Sequence, residues 1–223
     1  RCMKQRHIMR DNVDHSAYRF VILTLDSHSA GPAMRASDKL TAAFPGLDIT
    51  IHAAAEWGEN PAALIDAKQS IATANIIVTN LLFLEAHTAA ILPDLVARRP
   101  NCDAMINIIA DSDIVKLTKM GDLDMSKPAS GLMGLLKRLK PTAKASKSGE
   151  SQMKTLRRLP KILRLIPGKS QDLRNWFLSM QYWLGGSDDN IEQMVRMLVS
   201  RYAKGQDWKP VKIAAPIEYP DVG

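Results

Sequence analysis

The stretch that most constrains the fold is residues 18–31, with the sequence YRFVILTLDSHSAG. A run rich in Val, Ile, Leu and Phe is followed by Asp26, Ser27 and His28, and then by small residues and Pro32. This order is typical of a buried strand that leads through a loop into a helix. In open α/β sheets, ligands bind beyond the carboxyl ends of the strands. We therefore expect Asp26 and His28 to lie where a binding site forms.

Three further apolar runs predict strands, and helical patterns separate the four runs. These runs are LDITIHA (47–53), NIIVTN (75–80) and CDAMINIIA (102–110). Pro93 should kink or restart the helix that follows the third strand, and a short helix is predicted over 111–119. Strands that alternate with helices predict an α/β fold with right-handed crossovers. We predict a flavodoxin-like parallel sheet with flanking helices.

The chain divides into five predicted segments. They are a polar N-terminal lead-in (1–17), the flavodoxin-like α/β domain (18–123), a basic flexible linker (124–151), a helical segment (152–204) and an extended lead into a missing downstream body (205–223). Apolar residues at helical spacing predict two helices in the fourth segment, with a stop at Gly185-Gly186 and an N-cap at Ser187. We expect these two helices to form a C-terminal α-helical hairpin.

Composition limits the classes of protein to consider. With 223 residues, 46% of them hydrophobic, the chain can bury a sizeable core. It has no run of about 18 apolar residues that would span a bilayer, and its charged start lacks the apolar region of a secretory signal. Cys2 and Cys102 are far apart without a C-x-x-C spacing, which is typical of unpaired thiols. We expect a cytoplasmic protein.

The positive charge of the chain is local. Residues 137–169 contain eleven Lys or Arg and one acid, so this segment carries +10 and the remainder carries −3. Apolar residues interrupt the segment, among them Leu156, Leu159 and Ile162. Three interpretations stay open: a helix that packs on a protein partner, an interfacial helix on anionic lipid, or binding to nucleic acid. We expect partner packing and no nucleic acid.

A short motif suggests a tetrapyrrole contact. Asp26-x-His28-x-x-Gly31 resembles the D-x-H-x-x-G pattern of cobalamin-binding flavodoxin-like domains, and residues 79–81 (TNL) resemble their S-x-L pattern. The Gly-Gly of that family is missing, because residues 109–111 read IAD. His28 is therefore either a tetrapyrrole contact or a hydrogen-bonded loop histidine. Phosphotransfer of the response-regulator kind is disfavoured, since Asn80 stands where the phosphoacceptor Asp would be.

Further polar and aromatic residues are predicted at the same sheet edge. Glu56 and Trp57 follow the second strand, and Glu85 and His87 follow the third. A buried Glu can accept a proton, as removal of a pyrrole N–H would require, whereas an exposed loop Glu is only solvated. No His-x-x-x-His spacing occurs, so we predict no metal site.

Several longer stretches resemble one family. They are VILTLDSH (21–28), HAAAEWG (52–58), LLFLEAH (81–87), ILPDLVARR (91–99), MSKPASGLMGLLKRLK (125–140), the block 152–203 and APIEYPDVG (215–223). Together they resemble the N-terminal region of the magnesium chelatase H subunit family, which is related to the large subunit of cobaltochelatase. The resemblance covers most of the chain from about residue 19.

The resemblance implies a subunit that holds protoporphyrin IX while a separate AAA+ ATPase complex hydrolyses ATP and drives Mg²⁺ insertion, in chlorophyll or bacteriochlorophyll synthesis. It also implies that the chain is the first part of a much longer polypeptide and is not catalytic alone. The fragment is then a substrate-handling, gating or assembly domain, or a docking module without porphyrin contact. The predicted porphyrin-contact candidates are Asp26, His28, Glu56, Trp57, Asn80, Glu85 and His87.

Overall fold

The computed structural model describes residues 17–25, 30–127 and 171–217. The strands are β1 (Tyr18–Thr24), β2 (Leu47–Ala53), β3 (Ile76–Asn80), β4 (Ala104–Ile108), β5 (Lys119–Met120) and β6 (Leu123–Asp124). The α-helices are α1 (Ala30–Ala43), α2 (Pro61–Thr73), α3 (Glu85–Arg98), α4 (Ser112–Val115), α5 (Gln171–Gly185) and α6 (Asp188–Tyr202). Two short 3-10 helices span Ala54–Glu56 and Arg99–Asn101.

The strands form one mixed sheet in the order β2-β1-β3-β4-β5-β6. The first four strands in this order are parallel, with Thr24 beside Ala53 and Leu23 beside Thr79. The short strands β5 and β6 add antiparallel pairs at one side. The predicted α/β class with flanking helices is confirmed. Sequence patterns missed β5 and β6, since two-residue strands carry no periodicity.

The sheet is covered by helices on both faces, which is why its central strands are apolar throughout. Side chains alternate along a strand, so Ile22 and Val78 lie in one core while Val21 and Ile77 lie in the other. The first core also contains residues of α1, α5 and α6. The second contains residues of α2 and α3. The architecture is therefore a three-layer helix–sheet–helix arrangement.

The two C-terminal helices complete one of these layers. Trp176 of α5 is buried and its Nε1 donates to the backbone oxygen of Asn107, in β4, at 3.0 Å. At the start of α6, Asp188 accepts two hydrogen bonds from the Arg35 guanidinium of α1, at 2.5 and 2.9 Å. The apolar faces of α5 and α6 thus pack in the core of the sheet and do not face outward for a partner.

The residues after α6 lie along this same layer in an extended conformation, and we call residues 203–217 the C-terminal strap. Trp208 makes edge contacts with Tyr18 and Phe44, and its Nε1 donates to the Pro45 carbonyl at 2.9 Å. Two aromatic contacts and a hydrogen bond fix the strap at the amino end of β1.

The far end of the strap is fixed by polar side chains. The amide of Asn190 exchanges two hydrogen bonds with the backbone of Ile217, at 2.9 and 3.0 Å. The Tyr182 hydroxyl donates to the Ala214 carbonyl at 2.5 Å. The extended conformation predicted from the proline-rich sequence is thus held by specific contacts along residues 205–217.

Two sequence predictions about helices need correction. Pro93 does not restart a helix, because α3 continues through it from Glu85 to Arg98. Pro93 and Ala89 are both exposed, so the Ala89 carbonyl that loses its donor can bind water instead. The helix predicted over 111–119 is confined to α4, and Lys119 already belongs to β5.

No helix within residues 17–25, 30–127 and 171–217 has the length and apolarity needed to cross a bilayer.

Candidate functional site

Three loops meet beyond the carboxyl ends of β2, β3 and β4, and we call residues 54–60, 81–85 and 109–113 the carboxyl-edge loops. Trp57 of the first loop makes an edge contact with His87, in the first turn of α3, with 6.0 Å between ring centroids. The backbone N–H of Asp111 in the third loop donates to the Leu82 carbonyl of the second at 2.7 Å. The loops therefore form one continuous surface.

The contact between Trp57 and His87 follows from the local sequence. The 3-10 helix after β2 turns Trp57 inward, so that only 6% of its surface stays exposed. His87 is half-buried where α3 begins. Trp57 Nε1 and His87 Nδ1 are both buried without a hydrogen-bond partner among the described residues. An unpaired buried polar group costs about 1–3 kcal/mol, so these two nitrogens are candidates to contact a ligand.

The backbone is strained where two of the loops begin. Leu81 follows β3 with φ of 55°, and Ile109 follows β4 with φ of 49°. Bulky residues rarely adopt this left-handed conformation, which costs about 1–3 kcal/mol at each position. Such strain persists only where the surrounding contacts impose it, and it clusters at functional sites. It is therefore a second sign, independent of the sequence motifs, that this edge carries function.

Asn80 lies on the opposite face of the sheet. It continues the alternation of Ile76 and Val78, which face α1, and its Oδ1 accepts a hydrogen bond from Thr24 Oγ1 at 3.1 Å. The side chain is fully buried, and its Nδ2 has no partner in the described parts of the chain. Asn80 thus lies at the switch point between β1 and β3, where doubly wound sheets bind ligands, but away from Trp57.

The centre of the carboxyl-edge loops is apolar and exposed. Phe83 and Leu84 have 56% and 57% of their surface exposed. The sequence analysis missed them, because LLFL reads as the start of the following helix and exposure has no sequence signal. Glu85 next to them is exposed, whereas Glu56 is half-buried.

The structure brings together only part of the predicted site. Trp57 and His87 are in contact and Glu56 and Glu85 belong to the same loops, but Asn80 points to the other face. Asp26 and His28 lie outside the described residues, as does the basic segment 137–169. Among the residues described, no group of three or more His, Cys, Asp or Glu is arranged to hold a metal ion.

A protein family matches the region that contains these loops. The family described as "Domain of unknown function (DUF3479)" matches residues 19–177, from β1 into α5. The chain belongs to the DUF3479 family. The matched range includes all three carboxyl-edge loops, so the surface described above is part of the DUF3479 domain.

Proteins similar to the DUF3479 chain carry a consistent name. It is 59% identical over 207 residues, 92% of its length, to the magnesium-chelatase H subunit of Cereibacter sphaeroides, and 58% identical over the same share to that of Rhodobacter capsulatus. It is 28% identical over 154 residues, 69% of its length, to the chloroplastic magnesium-chelatase ChlH protein of Oryza sativa subsp. japonica, of which 11% is covered. The chain spans 17% of the length of the two bacterial relatives. The resemblance to magnesium chelatase H subunits is confirmed.

Proposed function

We propose that this chain is the N-terminal part of a magnesium chelatase H subunit, which holds protoporphyrin IX during ATP-dependent Mg²⁺ insertion in chlorophyll or bacteriochlorophyll synthesis. The observation that carries the proposal is the 59% identity over 92% of the chain to a protein of that name. ATP is hydrolysed by a separate AAA+ complex. The fragment contributes no catalytic residue, and the metal and the macrocycle are substrates of the whole enzyme.

Within that subunit, the geometry best supports an assembly role, in which the carboxyl-edge loops dock another part of the enzyme. Phe83 and Leu84 expose more than half of their surface side by side. Adjacent exposed apolar residues are a mark of interaction sites when polar residues surround them. The apolar faces of α5 and α6 are already buried in the domain, so this edge replaces the helical hairpin as the proposed docking surface.

A second role, direct contact with the tetrapyrrole at the same edge, is favoured by the unpaired nitrogens. Trp57 Nε1, His87 Nδ1 and Asn80 Nδ2 are buried without partners among the described residues, and a bound macrocycle could supply acceptors. The proposed contacts are the predicted set, namely Asp26, His28, Glu56, Trp57, Asn80, Glu85 and His87. Protoporphyrin IX carries two carboxylates, however, and the carboxylates of Glu56 and Glu85 would repel them.

One experiment separates the two roles. The full H subunit carrying the double substitution Phe83→Ser and Leu84→Ser is compared with wild type for binding to the ATPase partners, affinity for deuteroporphyrin and rate of Mg²⁺ insertion. The assembly role predicts that partner affinity falls about tenfold or more, that insertion slows at limiting partner, and that porphyrin affinity stays within about twofold.

A matched control is Ile65→Ser, which removes an equally exposed apolar residue from α2 and should change none of the three quantities. Loss of porphyrin affinity with intact assembly, shared by Trp57→Phe and His87→Gln, would instead establish the contact role. If the double variant and the control behave alike in all three measurements, neither role of this edge stands.

A further inference from the structure

The carboxyl-edge loops carry a one-sided charge. They contain five acidic residues and no Lys or Arg: Glu56, Glu59, Glu85, Asp111 and Asp113. Lys116, just after α4, forms an ion pair with Asp113 at 2.8 Å. Glu56, Glu59 and Glu85 enter no ion pair with the residues that the structure describes. The exposed Phe83 and Leu84 are thus surrounded by uncompensated negative charge.

Elsewhere on the described surface, charges are matched within the domain. On the opposite layer, Arg35 pairs with Asp188, and Lys39 lies 3.4 Å from Glu192. On the same layer as the loops, Lys68 of α2 lies 3.4 Å from Asp94 of α3. The imbalance at the carboxyl-edge loops is therefore a local feature and does not reflect an acidic domain as a whole.

The apolar residues at the centre are held in place by the surrounding backbone. Leu81, just before them, is in the left-handed conformation, and Leu82 is fully buried while its carbonyl accepts from Asp111. The loop is anchored on the side of Leu82 and continues into α3 at Glu85. Phe83 and Leu84 are therefore exposed by a loop with fixed ends, as a preorganised contact requires.

We propose that the carboxyl-edge loops dock a basic amphipathic helix from another protein chain, with leucine-like side chains on Phe83 and Leu84 and Lys or Arg side chains opposite Glu56, Glu59 and Glu85. A helix presents apolar anchors at positions i, i+3, i+4 and i+7 beside flanking charges, which matches an apolar centre with an acidic rim. Complementary charge increases the association rate and makes binding sensitive to salt. The same rim disfavours anionic partners, namely nucleic acid and anionic lipid surfaces.

This inference specifies the partner of the docking role proposed above, and it can be tested without chelatase activity. The probe is a synthetic peptide of about 14 residues made of Leu and Lys at helical spacing, with a second peptide in which Glu replaces every Lys. Binding to the 223-residue chain is measured by fluorescence anisotropy at several salt concentrations. We expect the Lys peptide to bind at least about tenfold tighter than the Glu peptide at physiological salt, with a difference that shrinks as salt rises.

Two sets of variants locate the binding. The triple variant Glu56→Gln, Glu59→Gln, Glu85→Gln should weaken the Lys peptide about tenfold and flatten its salt dependence. Its matched control, Asp38→Asn with Asp207→Asn, removes exposed acids outside these loops and should change affinity less than about twofold. Phe83→Ser with Leu84→Ser should weaken binding with the salt dependence kept.

The outcomes distinguish this inference from the chelatase proposal. Equal weakening by the triple variant and by its control would show diffuse attraction to an acidic surface and would overturn the inference. If the peptide results hold but the ATPase partners bind the triple variant normally, the inference stands and the docking role in chelatase assembly fails. If the triple variant instead changes the sedimentation of the chain alone, the occupant is a second copy and the proposed partner is wrong.

Discussion

Replacing Gly121 with Ala should destabilise the domain by about 3 kcal/mol, and this change tests whether α5 belongs to the sheet. Gly121 lies in the turn between β5 and β6 with φ of 57°, where an Ala costs about 1 kcal/mol of backbone strain. A Cβ at this position would also lie 2.7 Å from Cγ of Asp172, in the first turn of α5, which is too close for two carbon atoms.

The Asp172 carboxylate cannot yield without loss. Its Oδ2 accepts the backbone N–H of Asp122 at 2.8 Å, and its Oδ1 accepts the Tyr202 hydroxyl at 2.7 Å. Moving the carboxylate away from the added methyl group breaks both hydrogen bonds, at about 1 kcal/mol each, which adds about 2 kcal/mol to the strain. The free energy of unfolding is measured by urea titration with circular dichroism.

Gly46→Ala is the matched control for Gly121→Ala. Gly46 has φ of 85° and nothing within 4 Å of an added Cβ, so Ala there adds backbone strain alone. We expect Gly46→Ala to cost about 1 kcal/mol. In an Asp172→Ala background, Gly121→Ala should cost no more than this. If Gly121→Ala and Gly46→Ala are equally destabilising in the wild-type background, the contact between the β5–β6 turn and α5 is not formed and the three-layer fold is wrong.

Three further predictions concern stability and reactivity. Although burial alone raises the pKa of Asp124, hydrogen bonds from Ser126 and Arg99 lower it to about 2 from 3.8; its contribution, about 1 kcal/mol, is therefore present above pH 4 and lost as pH falls toward 2, and Asp124→Asn should reduce this loss in acid titrations of stability. Trp208→Ala should destabilise the domain by about 2 kcal/mol in urea titration, and Trp208→Phe by less, because Phe keeps ring contacts with Tyr18 and Phe44; equal losses would contradict the role of those contacts. In a Cys2→Ser variant, Cys102 should react with a disulfide reagent far more slowly than a free thiol at about pH 8, because burial raises its pKa; a fast reaction would show that the start of β4 is accessible.

The sequence contains a clear signal for the four parallel strands but not for how the last helices pack. Each parallel strand is a run of five to seven residues that fills two cores, and such runs are recognisable without a structure. An amphipathic helix shows that it has a partner without showing which one. The apolar stripes of α5 and α6 therefore suggest a partner protein when read from the sequence, whereas they pack against α1 and the sheet.

The candidate site was predictable as an edge but not as a set of contacts. Parallel strands bring their carboxyl ends together, which places Trp57 and His87 near each other. Strand alternation already separates Asn80 from that pair, since Ile77 and Thr79 share one face and Val78 and Asn80 the other, and the sequence analysis did not apply it. The exposure of Phe83 and the strain at Ile109 depend on the path of the loops, for which local sequence has no rule.

The central claim, that the carboxyl-edge loops are the functional surface, is tested most directly by NMR mapping. ¹H–¹⁵N spectra of the isotope-labelled chain are recorded during titration with the ATPase subunits of the chelatase. The indole N–H of Trp57 is a useful reporter, because those of Trp176 and Trp208 are bonded to carbonyls on the other layer and serve as internal controls. We predict saturable shifts in residues 54–60, 81–85 and 109–113 and in the Trp57 indole, with the control indoles unchanged. Shifts confined to α5, α6 or the C-terminal strap would contradict the claim.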